Sequence, residues 1–185
     1  MRLFIAIEIP DDIKKEMAEV QRRLKGAGVD ASWIRPEGIH LTLKFIGEVP
    51  ESRAPEIMNS LTNVAGGTGV FRIDVAGVGT FPNPKNARVV WIGVSVETER
   101  LAKLQISVED AMDGLGFERE ARAFTPHLTL GRIKYIHSRD RWLKSLEGVK
   151  DIRLPSFEVK AVSLMKSELK PAGAEYLEMG RVELQ

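Results

Sequence analysis

The chain holds 185 residues, with 27 lysines and arginines against 26 aspartates and glutamates, three histidines and no cysteine. At 43% hydrophobic residues it has material for a core, which excludes wholesale disorder, and its length suits one compact domain. The missing cysteines exclude a disulfide scaffold, a thiolate metal site and a cysteine nucleophile, while a net charge of +1 speaks against coating nucleic acid through a global field.

Residues 3–9 alternate, with Leu3, Ile5, Ile7 and Ile9 on one face and Phe4, Ala6 and Glu8 on the other, so a half-buried strand is predicted. Glu8, Asp11 and Asp12 cut this apolar run too short for a secretory signal, and no stretch reaches the roughly 18 apolar residues of a membrane span. A reducing, cytoplasmic setting without membrane attachment is expected. Ile13, Met17, Val20 and Leu24 then form a helical stripe, closed by Gly26 and Gly28. His40-Leu41-Thr42-Leu43 reads as a strand, residues 51–63 as a polar helix and Phe71–Val75 as another strand. Phe81-Pro82-Asn83-Pro84-Lys85-Asn86 is a turn-rich joint.

Residues 90–96 alternate again, on Val90, Ile92, Val94 and Val96. Thr98 is the expected N-cap of a helix with the stripe Leu101, Leu104, Val108, Ala111 and Leu115, and Gly114 and Gly116 close it. His127-Leu128-Thr129-Leu130 follows, then a helix near 138–147, a strand at 157–161, a turn at Lys170–Gly173 and a last strand near 175–183.

The chain therefore repeats itself. The opening strands, and the two His-Leu-Thr-Leu segments, are each displaced by 87 residues. The order β-α-β-α-β occurs twice, in halves of approximately 1–80 and 88–185 that an internal duplication would relate. The expected fold is a single α+β domain over residues 1–185 with two lobes, in which two antiparallel sheets face a central cleft and carry helices on their outer faces.

In a strand, residues two apart share a face, so His40 and Thr42 point one way while Leu41 and Leu43 point into the core; His127 and Thr129 oppose Leu128 and Leu130 likewise. A pseudo-two-fold arrangement would bring two imidazoles and two hydroxyls together. One neutral imidazole can take a proton from a nucleophile while the other, charged, gives one to a leaving group. The hydroxyls can donate to an anionic centre between them. This set suits displacement at phosphorus without a metal, a cofactor or a covalent intermediate. Arg132, five residues after His127, is the candidate anion contact. A lone His-x-Thr strand is usually structural; two matched copies, using two of only three histidines, are not explained by packing. His137 lacks the Leu-Thr-Leu tail and is expected at the surface, and no Asp, Glu or Cys stands at metal-ligand spacing near either motif. Residues 119–144 carry a local charge of +5, which suits either a local anion site or a solvated face.

These motifs resemble those of the 2H phosphoesterases, named for two His-x-Thr/Ser-x tetrapeptides in a duplicated bilobal fold. Within them the chain is similar to the RNA 2′,3′-cyclic phosphodiesterases, also called 2′-5′ RNA ligases. The likeness covers Arg2–Ile7, His40–Glu48, Gly79–Pro82, Thr125–Arg132 and Ser167–Tyr176. It implies that water opens a 2′,3′-cyclic phosphate at an RNA end, tRNA fragments among them, to leave a 2′-phosphate. His127 would act as base, His40 as acid, Thr42 and Thr129 would hold the phosphate oxygens, and Arg132 would add positive charge. The reverse reaction would form a 2′-5′ bond. Gly131 stands where the first half has Lys44, so the lobes are not equivalent and the acid and base roles are open to exchange. Phe4, Phe45, Phe81 and Tyr176 are candidates for base stacking, and Lys85 and Arg88 for backbone contacts. An esterase for small cyclic nucleotides or ADP-ribose cyclic phosphate, or a non-catalytic RNA-end binding module, would use the same cleft. A monomer is expected.

Overall fold

The computed structural model describes residues 1–96, 99–170 and 173–185, which excludes the expected cap at Thr98 and the middle of the turn at Lys170–Gly173. In chain order the elements are β1 (Arg2–Glu8), α1 (Asp11–Leu24), β2 (Val29–Trp33), β3 (His40–Glu48), α2 (Ala54–Gly66), β4 (Phe71–Phe81) and β5 (Val89–Val96). They continue with α3 (Arg100–Asp113), β6 (His127–Ile136), α4 (Arg139–Glu147), β7 (Arg153–Val159), β8 (Ala161–Lys170) and β9 (Gly173–Glu183). Every helix and strand read from hydrophobic periodicity has a counterpart. Two short edge strands, β2 and the start of β7, have no such signal: β2 has five residues, and β7 carries Pro155, which an edge strand tolerates.

The fold is α+β with two antiparallel sheets, ordered β3-β1-β8-β9 and β2-β6-β5-β4-β7. Neither sheet is made from one half of the sequence. β4, from the first half, pairs with β5 and β7, whereas β8, from the second, pairs with β1. The strand expected at 157–161 breaks at Lys160: β7 belongs to the five-stranded sheet and β8 to the four-stranded one. α2 packs on β8 and β9, and α3 on β3, while α1 and α4 lie together behind the other sheet. Among the described residues no helix is long and apolar enough to cross a membrane.

One continuous core runs behind both sheets and includes Ile13, Met17, Val20 and Leu24 of α1, Leu101, Leu104 and Val108 of α3, and all four motif leucines. β1 departs from the half-buried expectation. Leu3, Ile5 and Ile7 face this core, but Phe4 and Ala6 are buried too, in a small cluster with Met165 and partly buried Tyr176. A strand between two neighbours, with aromatic side chains over its second face, is dry on both sides.

Candidate active site

β3 and β6 lie against each other, so the fold brings the two motif strands together. Both contain a β-bulge at the same place. In β3, Thr42 faces Ala6 and Lys44 faces Ile5, so Leu43 is passed over; in β6, Thr129 faces Trp91 and Gly131 faces Val90, so Leu130 is passed over. The extra residue inverts the alternation beyond it. Leu43 and Lys44 are consecutive buried residues, as are Leu130 and Gly131, and the exposed side resumes at Phe45 and Arg132. Unbroken alternation would send Arg132, an odd number of residues from His127, into the core. The bulge returns it to the face of His127 and Thr129.

A bulge frees a carbonyl from the ladder, and a buried carbonyl needs a donor. The Leu130 carbonyl accepts from the Ile34 amide at 2.9 Å, and Gln21 of α1, 1% exposed, is its second donor, from Nε2 at 2.8 Å, while also donating to the Ile34 carbonyl at 2.7 Å. Gln105 of α3 reaches the Leu43 carbonyl at 3.5 Å and Glu109 Oε1 at 3.3 Å. Behind the β3 bulge the buried Lys44 ammonium donates to Glu109 Oε2 and to the Glu118 carbonyl, both at 2.7 Å. These residues escaped the sequence reading because each acts on a partner distant in the chain.

The two imidazoles are held alike. His127 Nδ1 lies 2.7 Å from the Thr125 carbonyl, and the His40 ring donates to the Gly38 carbonyl, in each case two residues earlier. A carbonyl only accepts, so Nδ1 of His127 carries a proton and the neutral ring keeps its lone pair on Nε2. Phe4 lies 4.6 Å from the His40 ring and Tyr176 meets it edge-on at 4.9 Å. Phe81 meets His127 edge-on at 5.1 Å, and Trp91 lies 6.2 Å away. Trp91 lies directly over Gly79, where a Cβ would sit 2.3 Å from the indole, so glycine is required there. Burial pushes His40 down to about pH 4; its bond to Gly38 opposes that shift and the charge of Lys14 adds to it. In the free protein His40 is therefore neutral at pH 7.

Neither Thr42 nor Thr129 spends its hydroxyl on another described residue. A cleft of about 610 Å³ spans both sheets, lined among others by Arg35, Glu37, Gly38, Arg132, Glu175 and Tyr176; it adjoins the His40 ring through Tyr176, and the four motif His and Thr side chains are not part of its lining. Of the four aromatics considered, Phe4, Tyr176 and Phe81 pack on the histidines, while Phe45 is 58% exposed and 6.2 Å from Phe4. His137 is exposed against Tyr135, away from both motifs. No three histidine, cysteine, aspartate or glutamate side chains group as metal ligands among the described residues.

The family model for LigT-like phosphoesterases matches the chain twice, over residues 7–91 and 92–176. The chain belongs to this family. The LigT-like chain is 36% identical to the RNA 2′,3′-cyclic phosphodiesterase of Methanothermobacter thermautotrophicus, across 97% of this chain and 96% of that one. It is 37% identical to the protein of the same name from Methanocaldococcus jannaschii, across 95% and 96%. Its fold matches the crystal structure of TT0787 of Thermus thermophilus with a TM-score of 0.84 and 27% identity, covering 100% of this chain and 98% of that one.

Proposed function

We propose that the protein is an RNA 2′,3′-cyclic phosphodiesterase, an enzyme that opens the cyclic phosphate at an RNA end to leave a 2′-phosphate. The observation that carries this reading is the paired His-x-Thr strand, repeated down to its bulge and its carbonyl-anchored imidazole. It is supported by relatives of that name along nearly the whole chain.

His127, its Nδ1 proton committed to Thr125, takes a proton from water through Nε2. The water oxygen bonds to phosphorus, the bond from phosphorus to O3′ breaks, and His40 gives its proton to O3′. Thr42 and Thr129 donate to the non-bridging oxygens, and Arg132 balances their charge. His40 must be charged for its step, and the bound phosphate anion supplies the field that raises it from about 4. Phe45, exposed at the position that matches Arg132, offers a ring to the terminal base. The same groups run in reverse would join a 5′-hydroxyl to the cyclic end as a 2′-5′ bond. The protein works as a cytoplasmic monomer on cyclic-ended RNA such as tRNA fragments, without cofactor, and the repeated halves descend from one duplicated unit.

The test is incubation with a short RNA ending in a 2′,3′-cyclic phosphate, in excess EDTA. A 2′-phosphate product is expected. A 3′-phosphate product would overturn the direction of opening, and no product at all would overturn the substrate.

A further inference from the structure

A second groove, of about 270 Å³, lies at the far end of β6 from His127. Its lining brings together Lys85, Arg88, Lys134, Arg139 and Tyr135, and it contains no carboxylate. In a chain whose charges nearly balance, such a lining is a local excess. None of these four cations takes part in an ion pair among the described residues. Arg119, from the same basic stretch of sequence, is by contrast neutralised by Asp110 and Asp113.

The groove has a fixed frame. Arg88 donates to the Lys134 carbonyl at 3.3 Å and accepts from the Ile133 amide at 2.9 Å, which ties the 84–88 turn to β6. Trp142 Nε1 donates to the Pro84 carbonyl at 3.0 Å, which ties α4, and with it Arg139, to the same turn. A second register shift in β6, at Lys134, puts Lys134 and Tyr135 in succession on the exposed side. Tyr135 is 62% exposed, so packing does not account for it, and its ring meets that of His137 edge-on at 4.8 Å. Arg132 and Lys134 flank buried Ile133 and share one face, so positive charge continues from the candidate active site into the groove. Thr129 to Tyr135 is about 20 Å along an extended strand.

We infer that this groove binds single-stranded RNA on the 5′ side of the reacting end, its cations holding backbone phosphates and Tyr135 stacking on a base. The inference rests on the RNA reading above and extends it from the terminal nucleotide to an oligonucleotide. Fixed cations without counter-charges attract a polyanion, and an exposed ring beside them stacks on any base.

The experiment compares a 2′,3′-cyclic mononucleotide with a cyclic-ended RNA octamer, for the native chain and for a Lys85→Gln, Lys134→Gln, Arg139→Gln variant. None of the three side chains makes a hydrogen bond that holds the fold. The octamer should have the higher kcat/KM with the native chain. Three phosphate contacts would cost it about 20-fold between 50 and 200 mM salt. The variant should lose most of both the length gain and the salt slope while keeping mononucleotide turnover. An unchanged salt slope in the variant, or no length gain in the native chain, would overturn the groove and leave the catalytic reading intact. Anisotropy with a fluorescent octamer ending in a plain 3′-hydroxyl reads the groove without turnover. Equal binding by both proteins would refute it even if no cyclic phosphate were cleaved.

Discussion

β3 and β6 share a tetrapeptide, a bulge at the same position and an imidazole anchored to the carbonyl two residues back. They differ in the two residues that each bulge displaces. Behind β3 sits Lys44, paired with Glu109; behind β6 sits Gly131, where a Cβ would lie 2.9 Å from the Trp33 ring. On the exposed side stand Phe45 in one and Arg132 in the other. The comparison teaches how one strand design yields an asymmetric site. What must be alike, the proton-transfer groups, precedes the bulge; what must differ, ring against charge, follows it. β3 is moreover an edge strand, whereas β6 is flanked by β2, which supplies Ser32 and Trp33 to the cleft.

The largest break in the symmetry should come from removing one histidine. His127→Ala and His40→Ala should each lower kcat by about 10²–10⁴, with RNA binding largely kept, and the double variant should be little worse than either alone. Single-turnover rates and product binding check this; a purely additive double variant would mean that the two rings do not work on one step.

Next in size is the buried ion pair, which only β3 has. Lys44→Met leaves Glu109 without its cation and should cost about 3–5 kcal/mol in denaturant unfolding, whereas Lys44→Met with Glu109→Leu should recover much of the loss. Equal costs for the single and double variants would show that the pair is not the source.

The pH dependence of stability should single out His40. Its folded pKa of about 4 lies below the unfolded value of 6.5, so the unfolded chain binds more protons between those values. Stability is therefore unaffected above pH 6.5 and is lost as pH falls from 6.5 to 4, by on the order of 3 kcal/mol. His40→Gln should flatten that limb in melts from pH 7.5 to 4.5. NMR titration should further show the His40 pKa rising when a 2′-phosphate product binds. A value that stays near 4 in the complex would exchange the roles and make His40 the base.

The smallest effect compares the glutamines. Gln21→Leu should cost about 1–3 kcal/mol and raise KM, and the KM effect should vanish in an Arg132→Ala background. Gln105→Leu, which loses a longer bond, should cost less. A KM effect of Gln21→Leu that persists without Arg132 would show that Gln21 does not act by setting the bulge.

The amino-acid order by itself determined the two motif strands, the helical stripes and the four candidate side chains, because periodicity and an exact internal repeat are local properties of a chain. Ile13, Met17, Val20 and Leu24 are buried as their spacing requires. The same order named Arg132 yet gave no reason for it to share a face with His127. Tertiary structure decided that, since a bulge is a mismatch between two strands and has no meaning within one. It also decided that β4 and β8 each pair with strands of the other half, and that Gln21 and Gln105 reach carbonyls more than a hundred and more than sixty positions away. The depressed pKa of His40 has the same origin: burial under Phe4 and Tyr176 is a property of packing, and only the folded chain creates it.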